Sequence, residues 1–559
     1  MSAETPRAGH LLLRAPPFPG PAVSLAKAAA LPNVENVAVD RLFAAMREAR
    51  VGGTFWARPV DPAGLRLIVR ARSVSEARLL RAGLEEAERN AAVWLLPARR
   101  AGHAEVEALG IRSVVFGGVD PWSLLQGDMQ LLAHGDDEWA ALAQIAGCRV
   151  QFLSPGTYGA PGMDGERLRR CVAYHLLAPC YRDPFTGKES DAEAIVAQLG
   201  HWRRIIDANR DIVAACGMAW WKRHEIARFL WSPHSRLRFF RSEGRAIAHA
   251  ARRNGAVAIW PSRMSAAMVW QAETMGVPLV RVEDGFVRSV GLGSDLVPPS
   301  SVTVDRQGIH YDPNRASDLE TMLAGADFAA PLLARAAQLR AAILAGRISK
   351  YGGTGEQALP HRQPGRRLLL VPGQVEDDMS VRLGGGGLSS NRELLRRARS
   401  LEPDAEIWFR PHPDVDAGHR KGAVSDADAL NLADRVVRGG SMADLLDRVD
   451  AVHVLTSLTG FEALLRGRDV TCHGMPFYAG WGLTTDLMPA PERRGRRLTL
   501  DQLVAAVLIL YPRYLDPVTR LPCEPETLIG RMAAGDATNR LGWVTRIRQL
   551  QGRLTKGSR

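Results

Sequence analysis

Short apolar runs alternate along this chain with longer stretches in which apolar residues recur every three or four positions. The runs at 65–69, 92–96, 366–371, 405–410 and 451–455 each precede such an amphipathic stretch. That rhythm predicts an α/β fold of parallel sheets covered by helices. The Pro/Ala-rich start reads as a loose, flexible lead-in over 1–40. Around 345–365 the string ISKYGGTGEQALPHRQPG has no periodicity and reads as a linker between two doubly wound domains. The expected segments are therefore the lead-in, a half-module at 41–215, Rossmann-like domains at 216–355 and 356–530, and a basic amphipathic tail at 531–559.

Internal similarity sharpens this division. VSEARLLRAGLEEAERNAAVWLLP parallels SSNRELLRRARSLEPDAEIWFRP, matching Trp94 with Trp408. In the same order Gly117-Gly118 matches Gly439-Gly440, and Tyr181-Arg-Asp183-Pro-Phe-Thr186 matches Tyr514-Leu-Asp516-Pro-Val-Thr519. Three collinear matches predict a duplication. The polar loop residues differ: Arg410-Pro411-His412-Pro413-Asp414 stands against Leu96-Pro97-Ala98-Arg99-Arg100, and Thr456-Ser457 falls roughly against His134-Gly135. The first copy is thus expected to be folded but noncatalytic, with the chemistry lying after about residue 216.

Composition narrows the class. With 46% apolar residues over 559 positions the chain can bury several cores. Six cysteines form no CxxC pair and no His/Cys cluster has zinc-ligand spacing, so reduced, metal-free chemistry is expected. No apolar run is long enough to span a membrane, and the N-terminus lacks a signal-peptide core. The net charge of +12 comes from 72 Lys+Arg against 60 Asp+Glu. A surface of that sign suits phosphate, anionic sugar, anionic lipid or nucleic acid, although Arg-rich coding alone also produces it. No nucleic-acid-binding motif accompanies the charge.

Ligands of open parallel sheets sit beyond the carboxyl ends of the strands. Three such ends in the second copy are polar: Pro372-Gly373-Gln374-Val-Glu376-Asp377-Asp378, Pro411-His412-Pro413-Asp414, and Thr456-Ser457-Leu-Thr459-Gly460, which opens the helical FEALLRG. The last offers a helix N-terminus to a phosphate, or is an ordinary Ser/Thr cap. His412 can donate a hydrogen bond to the same phosphate, or is structural. The carboxylates at 376–378 form either a crowded site with raised pKa values or a solvated turn. A further polar loop, from Val282-Glu283-Asp284 through Arg288, brings acids and a cation to the facing side of a cleft, and Gly384–Gly387 suggests a mobile lid.

Six strings, VEDGFVRSVGLGSD, PPSSVTVDRQGIHYDPNRASDLE, VPGQVEDD, RPHPDVDAGHRKG, TSLTGFEALLRG and GMPFYAGWGLT, resemble in that order the bacterial capsule polysaccharide biosynthesis proteins that are retaining β-Kdo glycosyltransferases. The resemblance covers about residues 216–530. It implies two Rossmann-like domains in a GT-B arrangement, CMP-Kdo as donor, a lysophosphatidylglycerol-linked Kdo acceptor, and neither metal nor cofactor. On the matching positions, Gln374 and Asp378 form the Q-x-x-x-D motif with Asp378 as nucleophile, and His412-Pro413 contact the donor phosphate. Ser457 and Glu462 hold phosphate and ribose, with Thr459 beside them, and Glu283 or Asp284 is the acid/base. Arg288, Arg410 or Arg420 is expected to meet the Kdo carboxylate. Family members carry two complete modules, whereas the first copy here lacks these motifs, so a single linkage type is expected.

Two other readings remain: a transferase using another CMP-activated ulosonic acid, and a noncatalytic scaffold of a capsule assembly complex. A lipid-linked acceptor implies a cytoplasmic protein peripheral to the inner face of the membrane, in contact with other capsule assembly proteins. Two segments are expected to reach that surface: Trp220-Trp221-Lys222-Arg223 through Trp231 and Arg241, and the acid-free tail 540–559.

Overall fold

The computed structural model describes residues 11–29, 36–97, 113–287, 298–348, 359–418 and 420–535. It contains two compact units: Met1–Arg210 with Leu230–Arg236, and Asp211–Phe229 with Leu237–Arg559. Among the described residues no helix is long and apolar enough to cross a membrane.

The first unit holds strands β1 (Ala26–Ala29), β2 (Leu67–Arg70), β3 (Ala92–Leu96), β4 (Val114–Phe116), β5 (Gln130–Ala133), β6 (Arg149–Phe152) and β7 (Pro179–Tyr181). Five of them form a sheet in the order β4-β3-β2-β5-β6, and every pairing in it is parallel. All five residues of β3 are buried, as expected of a strand covered on both faces. The expected loose lead-in is a correction. Leu12, Leu13, Phe18 and Leu25 are buried, and β1 pairs antiparallel with β7. Residues 11–29 therefore belong to the core of this unit, whose apolar side chains the Pro-rich spacing disguises.

The second unit holds two sheets. Strands β8 (Ile212–Cys216), β9 (Arg238–Phe240), β10 (Ala256–Ile259), β11 (Leu279–Asp284) and β12 (Ser301–Asp305) build the first. Strands β13 (Leu368–Pro372), β14 (Glu406–Arg410), β15 (Arg435–Val436), β16 (Ala451–Val454), β17 (Asp469–Cys472) and β18 (Thr485–Asp486) build the second, in the order β15-β14-β13-β16-β17-β18. The chain then returns: β19 (Pro512–Leu515) pairs with β12, and β20 (Pro522–Cys523) with β19, so the first sheet runs β20-β19-β12-β11-β10-β8-β9. This crossover departs from the expected boundaries, since residues 512–523 lie in the sheet begun at residue 212.

The repeat read from the sequence reappears in the topology. The order β4-β3-β2-β5-β6 matches β15-β14-β13-β16-β17, and Trp94 and Trp408 are the buried third residues of β3 and β14. The Tyr/Asp motifs build one turn twice. Tyr181 Oη donates to the Leu176 carbonyl, and Asp183 accepts from the Phe185 and Thr186 N–H groups and the Thr186 hydroxyl. Tyr514 Oη donates to the Leu508 carbonyl, and Asp516 accepts from the corresponding groups of Val518 and Thr519. Asp516 is fully buried and also receives Arg531 Nε at 3.0 Å. Removing one partner of a buried, hydrogen-bonded charge pair leaves the other unsolvated. Asp516→Ala is therefore expected to cost about 3 kcal/mol, and Thr519→Val only about 1, read as lowered unfolding midpoints in urea.

Candidate active site

Where the strand order reverses between β13 and β16, the helices leaving the two strands diverge and open a crevice. One side chain closes its floor. Gln374 is buried, accepts the Thr456 N–H on Oε1 at 2.9 Å and donates from Nε2 to Thr456 Oγ1 at 3.1 Å. Its backbone is held in turn by Asn391, which accepts from Gln374 N and donates to Gln374 O. Beyond Thr456, Ser457 caps the helix Leu458–Leu465 by accepting from Thr459 N. Gly460 is required in this helix, because a Cβ there would lie 2.2 Å from Tyr478 Oη. That hydroxyl donates to the Ser457 carbonyl at 2.5 Å and fixes the helix start.

The three acids after β13 separate rather than cluster. Glu376 accepts the Asn391 N–H at 2.8 Å, and Asp377 pairs with Arg420 at 2.9 Å, which holds the Asp377 carboxyl below its ordinary range. Asp378 caps the short helix Met379–Gly384, accepting on Oδ1 from Ser380 N and Oγ, and stands exposed on the cleft wall. Of the two readings the sequence left open for this loop, the structure shows the solvated turn: one structural acid, one acid paired with Arg420 and one helix-capping acid, the last two lining the cleft. Of the four glycines expected to form a lid, the first two are packed in place and Gly386 and Gly387 are exposed. Gly384 is buried against Thr456 and Met475, and a Cβ at Gly385 would collide with the Val381 and Leu388 carbonyls. His412 accepts the Asp414 N–H on Nδ1, which leaves Nε2 as the protonated nitrogen of the neutral ring.

Facing these loops, β11 ends in Glu283 and Asp284. The cleft between them has a volume of about 580 Å³, and its lining includes Glu283, Asp284, Tyr311, Asp378, His412 and Thr456. Lys222 is buried, donates to Asp284 Oδ1 at 2.8 Å and lies 3.7 Å from the centre of the Trp260 ring. Burial, the neighbouring Asp284 and, more weakly, Asp378 push Glu283 up to about 7, against the pull of Lys222. Adjacent acids thus differ in role: Asp284 has the ammonium partner, and Glu283 takes the proton.

Residues 255–354 and 356–514 match the family model of the capsule polysaccharide biosynthesis protein. The chain belongs to that family. It is 40% identical over 361 residues to the capsule polysaccharide modification protein LipA of Neisseria meningitidis, covering 64% of this chain and 51% of that protein. It is 46% identical over 241 residues to the lipopolysaccharide-processing protein LpsZ of Rhizobium meliloti, covering 43% and 54%. The chain thus spans about half the length of the curated relatives it matches. The chain also matches a solved structure titled as the β-Kdo 2,4 transferase of Thermosulfurimonas dismutans KpsC, with 33% identity, a TM-score of 0.51, and coverage of 58% of this chain and 98% of that one. The two Rossmann-like sheets of the second unit are therefore the GT-B arrangement of the family.

Within this family frame the remaining expected site residues divide. Arg410 turns away from the cleft and donates to the carbonyls of Gly439 and Gly440. Pro413 starts the helix that His412 caps, Thr459 serves the Ser457 cap, and Glu462 is buried beside the apolar wall of Phe286 and Phe461. Arg288 and the tail 540–559 lie outside the described residues. Sequence reasoning missed Lys222, Tyr311, Arg263 and Arg382, of which the last three line the cleft. Lys222 was read with its tryptophan neighbours as a membrane contact, and its burial excludes that. Tyr311 stood inside a matched string without a role.

The corresponding edge of the first unit is filled by its own charges. The link from β2 to the next helix, Val74–Ala82, is three residues, 71–73, where the link from β13 to Asn391–Leu401 is eighteen, 373–390. The entire loop bearing Gln374 and Asp378 has no counterpart. Asp137 occupies the helix cap where the second unit has Ser457, a shift of two from the alignment expected from sequence. Arg70 pairs with Asp137, Arg72 with Asp136 and Arg14 with Glu138. A carboxylate thus stands at the helix start where the second unit has a hydroxyl.

A raised acid stabilises the fold fully below its ordinary value of 4.5 and loses that contribution as pH rises through 7. Glu283→Gln removes the loss. Its melting temperature is expected to equal that of the parent at about pH 4 and to exceed it by roughly 2–4 °C at about pH 8, about 1 kcal/mol after allowance for partial exposure. Equal melting at both values would mean that Glu283 is an ordinary carboxylate.

Proposed function

We propose that the second unit transfers Kdo from CMP-Kdo to a lipid-linked Kdo acceptor, with retention, in capsular polysaccharide linker synthesis. One observation carries the reading: an exposed carboxylate, Asp378, and a protonatable acid, Glu283, line opposite walls of one cleft beside a hydroxyl-capped helix N-terminus. Retention needs two inversions. In the first, an Asp378 oxygen bonds to the anomeric carbon while the bond to the CMP oxygen breaks and its electrons leave with CMP. The His412 Nε2–H and the helix start at Ser457 receive the phosphate charge. In the second, Glu283 as carboxylate takes the proton of the acceptor hydroxyl, whose oxygen displaces Asp378. Lys222 is paired with Asp284, so Glu283 is the acid that exchanges protons: it gives its own to solvent before this step and returns the acceptor's to solvent after it.

Arg263, Arg382 and Arg420 line the cleft and are the cations suited to the Kdo carboxylate, in place of Arg410. The reaction as written consumes donor and acceptor alone and uses no cofactor. Gln374 is a positioning residue, since its amide is committed to Thr456. The first unit serves as a packing or partner surface within a cytoplasmic, membrane-peripheral assembly of capsule proteins.

Incubation of the full chain with CMP-Kdo and a Kdo-terminated glycolipid is expected to yield a β-linked product. Asp378→Asn should abolish transfer while CMP binding stays near the parent value, because the amide keeps its shape but cannot attack. Retention of more than about a hundredth of the rate would remove Asp378 as nucleophile. No transfer from CMP-Kdo, with turnover of a different CMP-activated ulosonic acid, would reassign the donor; no turnover with any would favour a scaffold. The double variant His412→Ala/Ser457→Ala should lose CMP binding altogether by calorimetry, because the first unit cannot replace the site. Residual saturable binding would place a nucleotide on the first unit.

A further inference from the structure

We propose that the face formed by strand β9, the helix Glu243–Ala251 and the helix Ala266–Thr274 docks the second unit on an anionic bilayer. The proposal rests on the lipid-linked acceptor of the preceding reading for its purpose, but on separate residues for its evidence. Several exposed or half-exposed arginines elsewhere in this unit are held by carboxylates: Arg335 by Glu524 and Glu526, Arg399 by Asp434, Arg438 by Asp416 and Asp426. On this face Arg238, Arg241, Arg245, Arg252 and Arg253 are all exposed, and none has a carboxylate partner among the described residues. The acid within that stretch, Glu243, is spent on the N–H and hydroxyl of Ser265. Sixteen residues, 238–253, thus carry five cations and one anion.

These charges form one surface. Ala246, Ile247 and Ala250 face the core, which turns Arg245 and Arg252, seven residues apart, outward together. Arg238, Arg252 and Arg253 all act on His249, whose ring lies 5.2 Å from Phe240 of β9, so strand and helix share the patch. The second helix packs on the same core through Met268 and Ala272, and a Cβ at Gly244 would lie 3.7 Å from the Gln271 amide. Beside Gln271, Trp270 is 69% exposed, and Met275 just past the helix end is 46% exposed. An exposed tryptophan beside unpaired arginines suits the bilayer interface, where the ring enters the headgroup layer and the guanidinium groups meet lipid phosphates. A polyanion in water would use the arginines and gain little from Trp270.

The test is co-sedimentation of the full chain with vesicles of phosphatidylcholine alone or with 30% phosphatidylglycerol, without donor or acceptor. Binding is expected only to the anionic vesicles and should weaken with salt. Arg245→Glu/Arg252→Glu/Arg253→Glu should lower the affinity at least about 30-fold, whereas the corresponding triple Lys variant should stay within about threefold of the parent, because either cation serves a lipid surface. Trp270→Ala should lower it about fivefold, with unchanged melting and CMP binding. The proposal is overturned if the Glu triple variant binds like the parent, or if Arg546→Glu/Arg548→Glu/Arg553→Glu in the tail removes all binding. It is also overturned if Trp270→Ala is silent and the patch binds dextran sulfate as tightly as vesicles, the behaviour of a polyanion site. Loss of sugar transfer with vesicle binding intact would count against the proposed reaction and leave the docking face standing.

Discussion

The Thr456 N–H is the group on which the second unit's architecture turns. It lies just beyond the end of β16, the neighbour of β13 in the sheet, and a buried N–H there needs a partner. Gln374 satisfies it at 2.9 Å and ties down the hydroxyl of the same residue. That pairing has reach in both directions along the chain. It fixes the start of the helix capped by Ser457, and through Asn391 it fixes the loop that ends in Asp378. A buried amide that binds nothing but its own fold thereby sets the distance between the Ser457-capped helix start and Asp378.

The first unit shows what the same sheet becomes without that loop. Strand order, buried tryptophan and Tyr/Asp turn are retained, yet only three residues join β2 to its helix. The exposed edge still has to be neutralised, and three Arg–carboxylate pairs do so. Arg72 with Asp136 is half-exposed and contributes little to stability, whereas the other two pairs are largely buried. Together they fill with carboxylates and arginines the edge at which the second unit has a hydroxyl-capped helix.

Much of this was legible in the chain itself. The strand runs at 92–96 and 451–455 fall within a residue of β3 and β16, because a strand buried on both faces must be apolar throughout. The repeat was readable because its matches lie at buried or turn positions that tolerate little change. Side-chain direction was not readable. Nothing in RPHPD says that Arg410 bends back to the Gly439 and Gly440 carbonyls while His412 caps a helix, nor that Glu376, Asp377 and Asp378 part company within three residues. Lys222 misled for the opposite reason: beside two tryptophans it resembles an interfacial anchor, and only the fold reveals Asp284 beneath it.

Lys222 also explains how two adjacent acids can be told apart. Without a cation, Glu283 and Asp284 would repel each other in a partly desolvated wall, and the proton would have no fixed address. The ammonium is 2.8 Å from Asp284 and is pinned by the Trp260 face, so it cannot serve both equally. Stabilising one carboxylate forces the cost of burial onto the other. Burial first, and the charge of Asp284 second, bring Glu283 to about 7 against the pull of Lys222, and there an acid can surrender and regain a proton at little cost in either direction. On the opposite wall Asp378 stands exposed and accepts from the Ser380 N–H and hydroxyl, so Glu283 and Asp378 meet the cleft in different surroundings, one desolvated and one open to water.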